Sequence, residues 1–113
     1  MKNILVPFDG SKPARRALNY IAELRKEGLG RGLVHLLNVQ PAPKLLGDYA
    51  SHALMETLNS EARRYGAAIN AEGEATLVAS GVDCQCHEVI GEIATAVMAA
   101  VDKYNCDAII MGT

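Results

Sequence analysis

The chain has few cysteines, no long apolar run, no excess of either charge and no internal repeat, and each shortage removes a class of protein. Cys84, Cys86 and Cys106 are an odd number of thiols without framework spacing, which argues against a disulfide-stapled fold. Free cysteines of this kind behave as small buried hydrophobes. No stretch approaches the roughly 18–20 apolar residues of a membrane-spanning helix. The first apolar run, Ile4 to Phe8, is too short for a secretion signal and is broken by Pro7, with Asp9 just beyond. A soluble, cytoplasmic protein without a membrane partner is expected. The formal net charge of −2 and pI near 5.9 give no basic footprint for neutralising phosphates, so nucleic acid is not an expected partner.

Catalytic and metal constellations are also missing. No Ser/His/acid or Cys/His arrangement falls on one site, and no catalytic residue is assigned. His35 sits inside an apolar strand and reads as a satisfied core or surface histidine, whereas His52 lies near a helix start and reads as solvated. In "CQCH", Cys84 and Cys86 share one face of a strand while His87 points to the other. With no second ligand pair elsewhere, strand core is the expected reading and no metal is assigned.

What remains is 113 residues, half of them apolar, enough for one domain spanning 1–113 with an ordinary core. The patterns alternate strand and helix. "NILVPF" (Asn3 to Phe8) is a continuous apolar run suited to a strand buried on both faces. Ser11 is a candidate N-cap, with Pro13 in the first turn. Ala14, Ala17, Leu18, Ile21 and Leu24 then recur at helical spacing up to the cluster Gly28, Gly30, Gly32. "LVHLLNV" (Leu33 to Val39) is the second strand. Leu54, Leu58, Ala62, Tyr65 and Ile69 predict a second helix running towards Ser80, although Gly66 and Gly73 each weaken it by about 1 kcal/mol. "VDCQCHEV" (Val82 to Val89) alternates like an edge strand. Ile93, Ala94, Val97, Met98, Val101 and Tyr104 mark a third helix, Asn105 suits a left-handed residue, and "DAIIMG" is a fourth buried strand.

Strands separated by helices predict an open, doubly wound, mostly parallel α/β sheet. With the most polar strand outermost, the order is 3-2-1-4, and the first and fourth strands flank the topological switch point where such sheets bind ligands. Two segments meet there. In "PFDGS", Asp9 lies past the strand end, where a carboxylate can accept from a ribose hydroxyl or help hold a metal–phosphate. Asp9 and Ser11 read equally well as turn and capping residues. In "MGT", Met111 could lay a soft side chain on a flat ring and Gly112 could allow close approach to the backbone.

Taken together, "ILVPFDGS", "LLNVQP" and "GEIATAVMAAVDKYNCDAIIMGT" resemble the universal stress protein family across the whole chain. The resemblance implies an adenine-nucleotide α-hydrolase-like sheet ordered 3-2-1-4-5, a homodimer, a role in stress response and, in many members, bound ATP with Mg2+. By motif, it carries cofactor-binding roles onto Pro7, Asp9, Ser11, Val39, Met111 and Gly112. Weak ATPase activity is implied by resemblance only. The alternative is a dimerisation or protein-interaction module of the same family that uses no nucleotide. A phospho-acceptor receiver domain fits less well, because Asp9 stands alone in its turn. The family's Gly-x2-Gly-x9-Gly-Ser/Thr phosphate segment, fourth helix and fifth strand do not occur in these residues. The resemblance therefore implies a C-terminally incomplete domain, with Ile109 or Ile110 and part of Met111 uncovered.

Overall fold

A computed structural model describes residues 1–29, 31–43 and 51–112. Gly30 and Thr113, on which the sequence patterns also drew, lie outside the described residues. The elements follow in the order β1 (Asn3–Pro7), α1 (Lys12–Lys26), β2 (Leu33–Gln40), α2 (His52–Ala79), β3 (Cys84–Ile90), α3 (Ile93–Lys103) and β4 (Ala108–Ile109). The strands form one open parallel sheet in the order β3-β2-β1-β4. Polar β3 is an outer strand, as its alternation predicts.

Successive crossovers to one side place α1 and α2 on the same face, and the reversal to β4 sends α3 to the other. The packing follows this rule. Ile4, Val6, Val34 and Leu36 meet Ala14, Ala17, Leu18 and Ile21 of α1 and Leu77 of α2. On the opposite face Leu5 and Leu37 meet Val97, Ala100, Val101 and Tyr104. Helix α1 starts at its expected cap, where Ser11 Oγ accepts from the Ala14 amide at 3.3 Å, and ends before Gly28 at φ +79°. Asn105 adopts the left-handed conformation at φ 52°. Helix α3 is capped by Glu92, whose carboxylate accepts from the Ala94 and Thr95 amides at 3.0 Å each.

Three expectations need correction. Helix α2 has the expected length, but its buried face is Gly66, Asn70, Gly73 and Leu77, while Tyr65 is 64% exposed and Leu54 is also exposed. The glycines explain the shift, because they let the helix axis approach the sheet where a larger residue would hold it off. A Cβ on Gly73 would come within 2.9 Å of the Phe8 ring, and one on Gly66 would collide with Asn38 Oδ1. In α3 the apolar stripe holds in part: Val97, Val101 and Tyr104 pack on the core beside buried Ala100, whereas Ile93 and Met98 are exposed. The fourth strand is shorter than "DAIIMG", since only Ala108–Ile109 pairs regularly with β1. Along it Ile110 packs into the core and Ile109 is 44% exposed.

His35 is buried and satisfied, as its setting predicts. Its Nε2 lies 3.1 Å from Asn3 Oδ1 and its Nδ1 lies 3.0 Å from His87 Nε2. A carbonyl oxygen only accepts, so His35 carries its proton on Nε2 and receives the His87 N–H at Nδ1. Both rings stack with Tyr104, and burial lowers both pKa values, favouring neutral imidazoles. His52 is exposed beside Glu56.

The start of β1 is tied to β4 by Asp107, whose carboxylate accepts from the Lys2 amide at 2.9 Å and the Asn3 amide at 3.2 Å. These amides hold its carboxyl below the ordinary value of 3.8. The stabilisation is complete above that value and fades as pH falls through the lowered folded-state pKa. Urea midpoints of the wild type and Asp107→Ala should therefore differ at neutral pH and converge in acid; a constant gap would contradict this role. Gly66→Ala should destabilise the fold by roughly 1–3 kcal/mol in urea unfolding, because overpacking against Asn38 outweighs the helix-propensity gain of about 1 kcal/mol. A more stable Gly66→Ala would contradict the close α2 packing.

Candidate functional site

The carboxyl ends of β1 and β2, the first turn of α1, the start of α3 and the segment after β4 enclose a cleft of about 320 Å³. This volume is near the lower end of the roughly 300–1,000 Å³ of small-molecule pockets. All six residues singled out in the sequence line it: Pro7, Asp9, Ser11, Val39, Met111 and Gly112. The topology accounts for their meeting, because β1 and β4 are neighbours, so the segments that follow both leave at the same end of the sheet.

Asp9 is at the mouth. Its Oδ1 accepts from the Ser11 amide at 2.9 Å, closing an Asx-type turn around Gly10 at φ +78°. Hydrogen bonds from the Ser11 side chain and amide hold the Asp9 carboxyl below the usual carboxylate range, so it is ionised at neutral pH. Asp9 is thus both a turn residue and a fixed negative charge in the cleft. Ser11 caps α1 through the Ala14 amide, so its hydroxyl oxygen already serves the helix. Met111 presents a side chain 61% exposed beside the cleft, and Val39 is a half-buried wall.

Gly112 has a sharper role than close approach of a ligand. A Cβ there would collide with the Pro13 carbonyl group of α1. The absence of a side chain lets the segment after β4 cross over the start of the helix and close that side of the cleft.

Several participants had no distinctive sequence signal. Leu37 and Ile93 are ordinary members of apolar stripes, yet both line the cleft. Phe8 also lines it, and its main chain is gripped at both ends. The Phe8 amide donates to Leu37 O at 2.8 Å, and Phe8 O accepts from buried Asn38 Nδ2 at 3.0 Å. Gln40 Nε2 in turn donates to Asn38 Oδ1 at 2.8 Å. The one available signal for Asn38 was a polar residue inside the apolar run "LLNV".

The "CQCH" segment divides as its spacing predicts. His87 joins His35 on the α3 face, and Cys84 and Cys86 pack against the α1/α2 core. The Cys86 thiol also reaches Glu74 of α2, with Sγ 3.2 Å from Oε2.

With this geometry in hand, known proteins supply a frame. Among the curated proteins no sequence match was found. Solved structures are similar throughout the fold. A universal stress protein family member from Burkholderia pseudomallei is 24% identical, with a TM-score of 0.73 over 99% of this chain and 81% of its own. A family protein from Arabidopsis thaliana with AMP bound is 17% identical, with a TM-score of 0.71 over 100% of this chain and 77% of its own. A universal stress protein in complex with cAMP is 16% identical, with a TM-score of 0.69 over 97% of this chain and 75% of its own. The family model for universal stress proteins matches residues 1–113. Motifs, sheet order and this match over residues 1–113 agree: the chain belongs to the universal stress protein family.

Proposed function

We propose that this protein binds an adenine nucleotide, ATP with its Mg2+ being the ligand in the cell, in the cleft at the carboxyl ends of β1 and β4. The observation that carries the proposal is the convergence of Pro7, Asp9, Ser11, Val39, Met111 and Gly112 on that one cleft. Relatives whose structures hold AMP and cAMP support it. In this reading Pro7, Val39 and Met111 form the adenine pocket, Val39 meeting the base edge through its backbone. Asp9 accepts from a ribose hydroxyl through its exposed carboxylate. The single-domain chain acts as a cytoplasmic homodimer in stress response. It works by binding: Asp9 is the sole ionisable side chain among the described lining residues, and we assign no general base for ATP hydrolysis.

The lining residues offer base and sugar contacts but no cation for phosphate. Calorimetric titration of the 113-residue chain should therefore give adenosine, AMP and ATP affinities within about tenfold of one another. Asp9→Ala should weaken all three by about tenfold, the equivalent of about 1.4 kcal/mol for one charge-assisted hydrogen bond. No binding heat, or an Asp9→Ala protein that binds as the wild type does, would contradict the assignment.

One observation favours the second reading, an interaction module of the same family without nucleotide. Outer strand β4 leaves Ile109 and Met111 exposed beside Tyr20 of α1, the kind of apolar edge that pairs with another chain. A concentration-dependent dimer that forms without nucleotide, in a protein giving no binding heat, is the outcome that selects this reading.

A further inference from the structure

The thiol pair on β3 has no further metal ligand near it in the sequence, and the fold brings one to it. Cys84 and Cys86 are two residues apart on the outer strand and face α2. Glu74 comes from the second-last turn of α2. One ligand atom from each of Glu74, Cys84 and Cys86 lies within 4.8 Å of the other two, and Cys86 Sγ lies 3.2 Å from Glu74 Oε2. A tetrahedral zinc ion bound at about 2.3 Å to sulfur and about 2.0–2.2 Å to carboxylate oxygen spaces its ligands roughly 3.5–3.8 Å apart. The three side chains therefore need to adjust by about 1 Å at most. Glu74 is exposed and both cysteines are half-buried, so an ion has a path in from solvent.

We propose that Glu74, Cys84 and Cys86 form a binding site for a thiophilic divalent cation of the zinc class, with a water molecule in the fourth position. The donor set decides the class. Two thiolates and a carboxylate suit borderline-soft ions and disfavour Mg2+ and Ca2+, which take oxygen ligands. The ion binds as both thiols release their protons to solvent. Bound there, it ties outer strand β3, paired only with β2, to α2 across the space between two elements joined by a short turn. The site stands on the opposite edge of the sheet from β4 and is independent of the nucleotide reading.

Cobalt(II) is the spectroscopic probe and zinc the competitor, both added to the reduced full chain. One equivalent of cobalt should produce a near-ultraviolet thiolate-to-cobalt charge-transfer band with visible bands of tetrahedral intensity, and one equivalent of zinc should bleach them. Glu74→Gln should weaken binding at least about tenfold, and Cys84→Ser and Cys86→Ser should each at least halve the charge-transfer band. Cys106→Ser, which alters a thiol packed on the α3 face, should retain it. A second measurement needs no variant: zinc should slow alkylation of Cys84 and Cys86 in the wild type, read by peptide mass, and leave Cys106 unchanged. Absence of the charge-transfer band, its undiminished persistence in a folded Cys84→Ser protein, or equal alkylation with and without zinc overturns the proposal.

Discussion

Burial of β1 on both faces is the constraint from which the rest of this structure follows. Ile4, Leu5 and Val6 are each 0% exposed, and full burial of such side chains contributes about 1.5–3 kcal/mol apiece. A strand covered on both faces must be central, so β2 and β4 pair with its two edges. It must also have helices on both sides, which α1 and α2 provide on one face and α3 on the other. The helix after β1 and the helix before β4 lie on opposite faces of the sheet, and the cleft lies at the carboxyl end of this strand pair.

Holding that cleft open in one shape falls to polar contacts inside an apolar setting. Asn38 binds the Phe8 carbonyl from within β2, and Gly66 gives the Asn38 side chain room against α2. Gly73 does the same for the Phe8 ring. Two glycines that weaken α2 as an isolated helix are therefore what allow it to lie close to the sheet behind the site. Gly112 performs the equivalent service at the start of α1. Small residues set the distances between elements, and side chains in the cleft inherit those distances.

The sequence carried most of the fold and the membership of the site, because both depend on strong local patterns. The apolar runs of β1 and β2, the Ser11 cap and the Asn105 break report directly on backbone conformation. The polar character of β3 marks an edge. Pro7, Asp9 and Met111 follow once the strand order is known, since their place at strand ends fixes which end of the sheet they share. What escaped depends on contacts between elements. The buried face of α2 runs through glycines, which no hydrophobic periodicity reveals, so the periodicity points Tyr65 inward although it faces solvent. Glu74 looked like any solvated helix residue until α2 was laid across Cys86. Glu92 was unremarkable as a sequence letter, and only the turn at Gly91 brings its carboxylate over the first amides of α3.

The central claim is that the cleft at the ends of β1 and β4 is where an adenine nucleotide binds. Mapping backbone and methyl chemical-shift changes by nuclear magnetic resonance during an AMP titration tests it most directly. The account predicts that the largest changes cluster on Phe8 to Ser11, Val39, Ile93, Met111 and Gly112. Changes concentrated instead in the groove between β3 and α3, around Val89, Thr95 and Tyr104, or no changes at all, would contradict it.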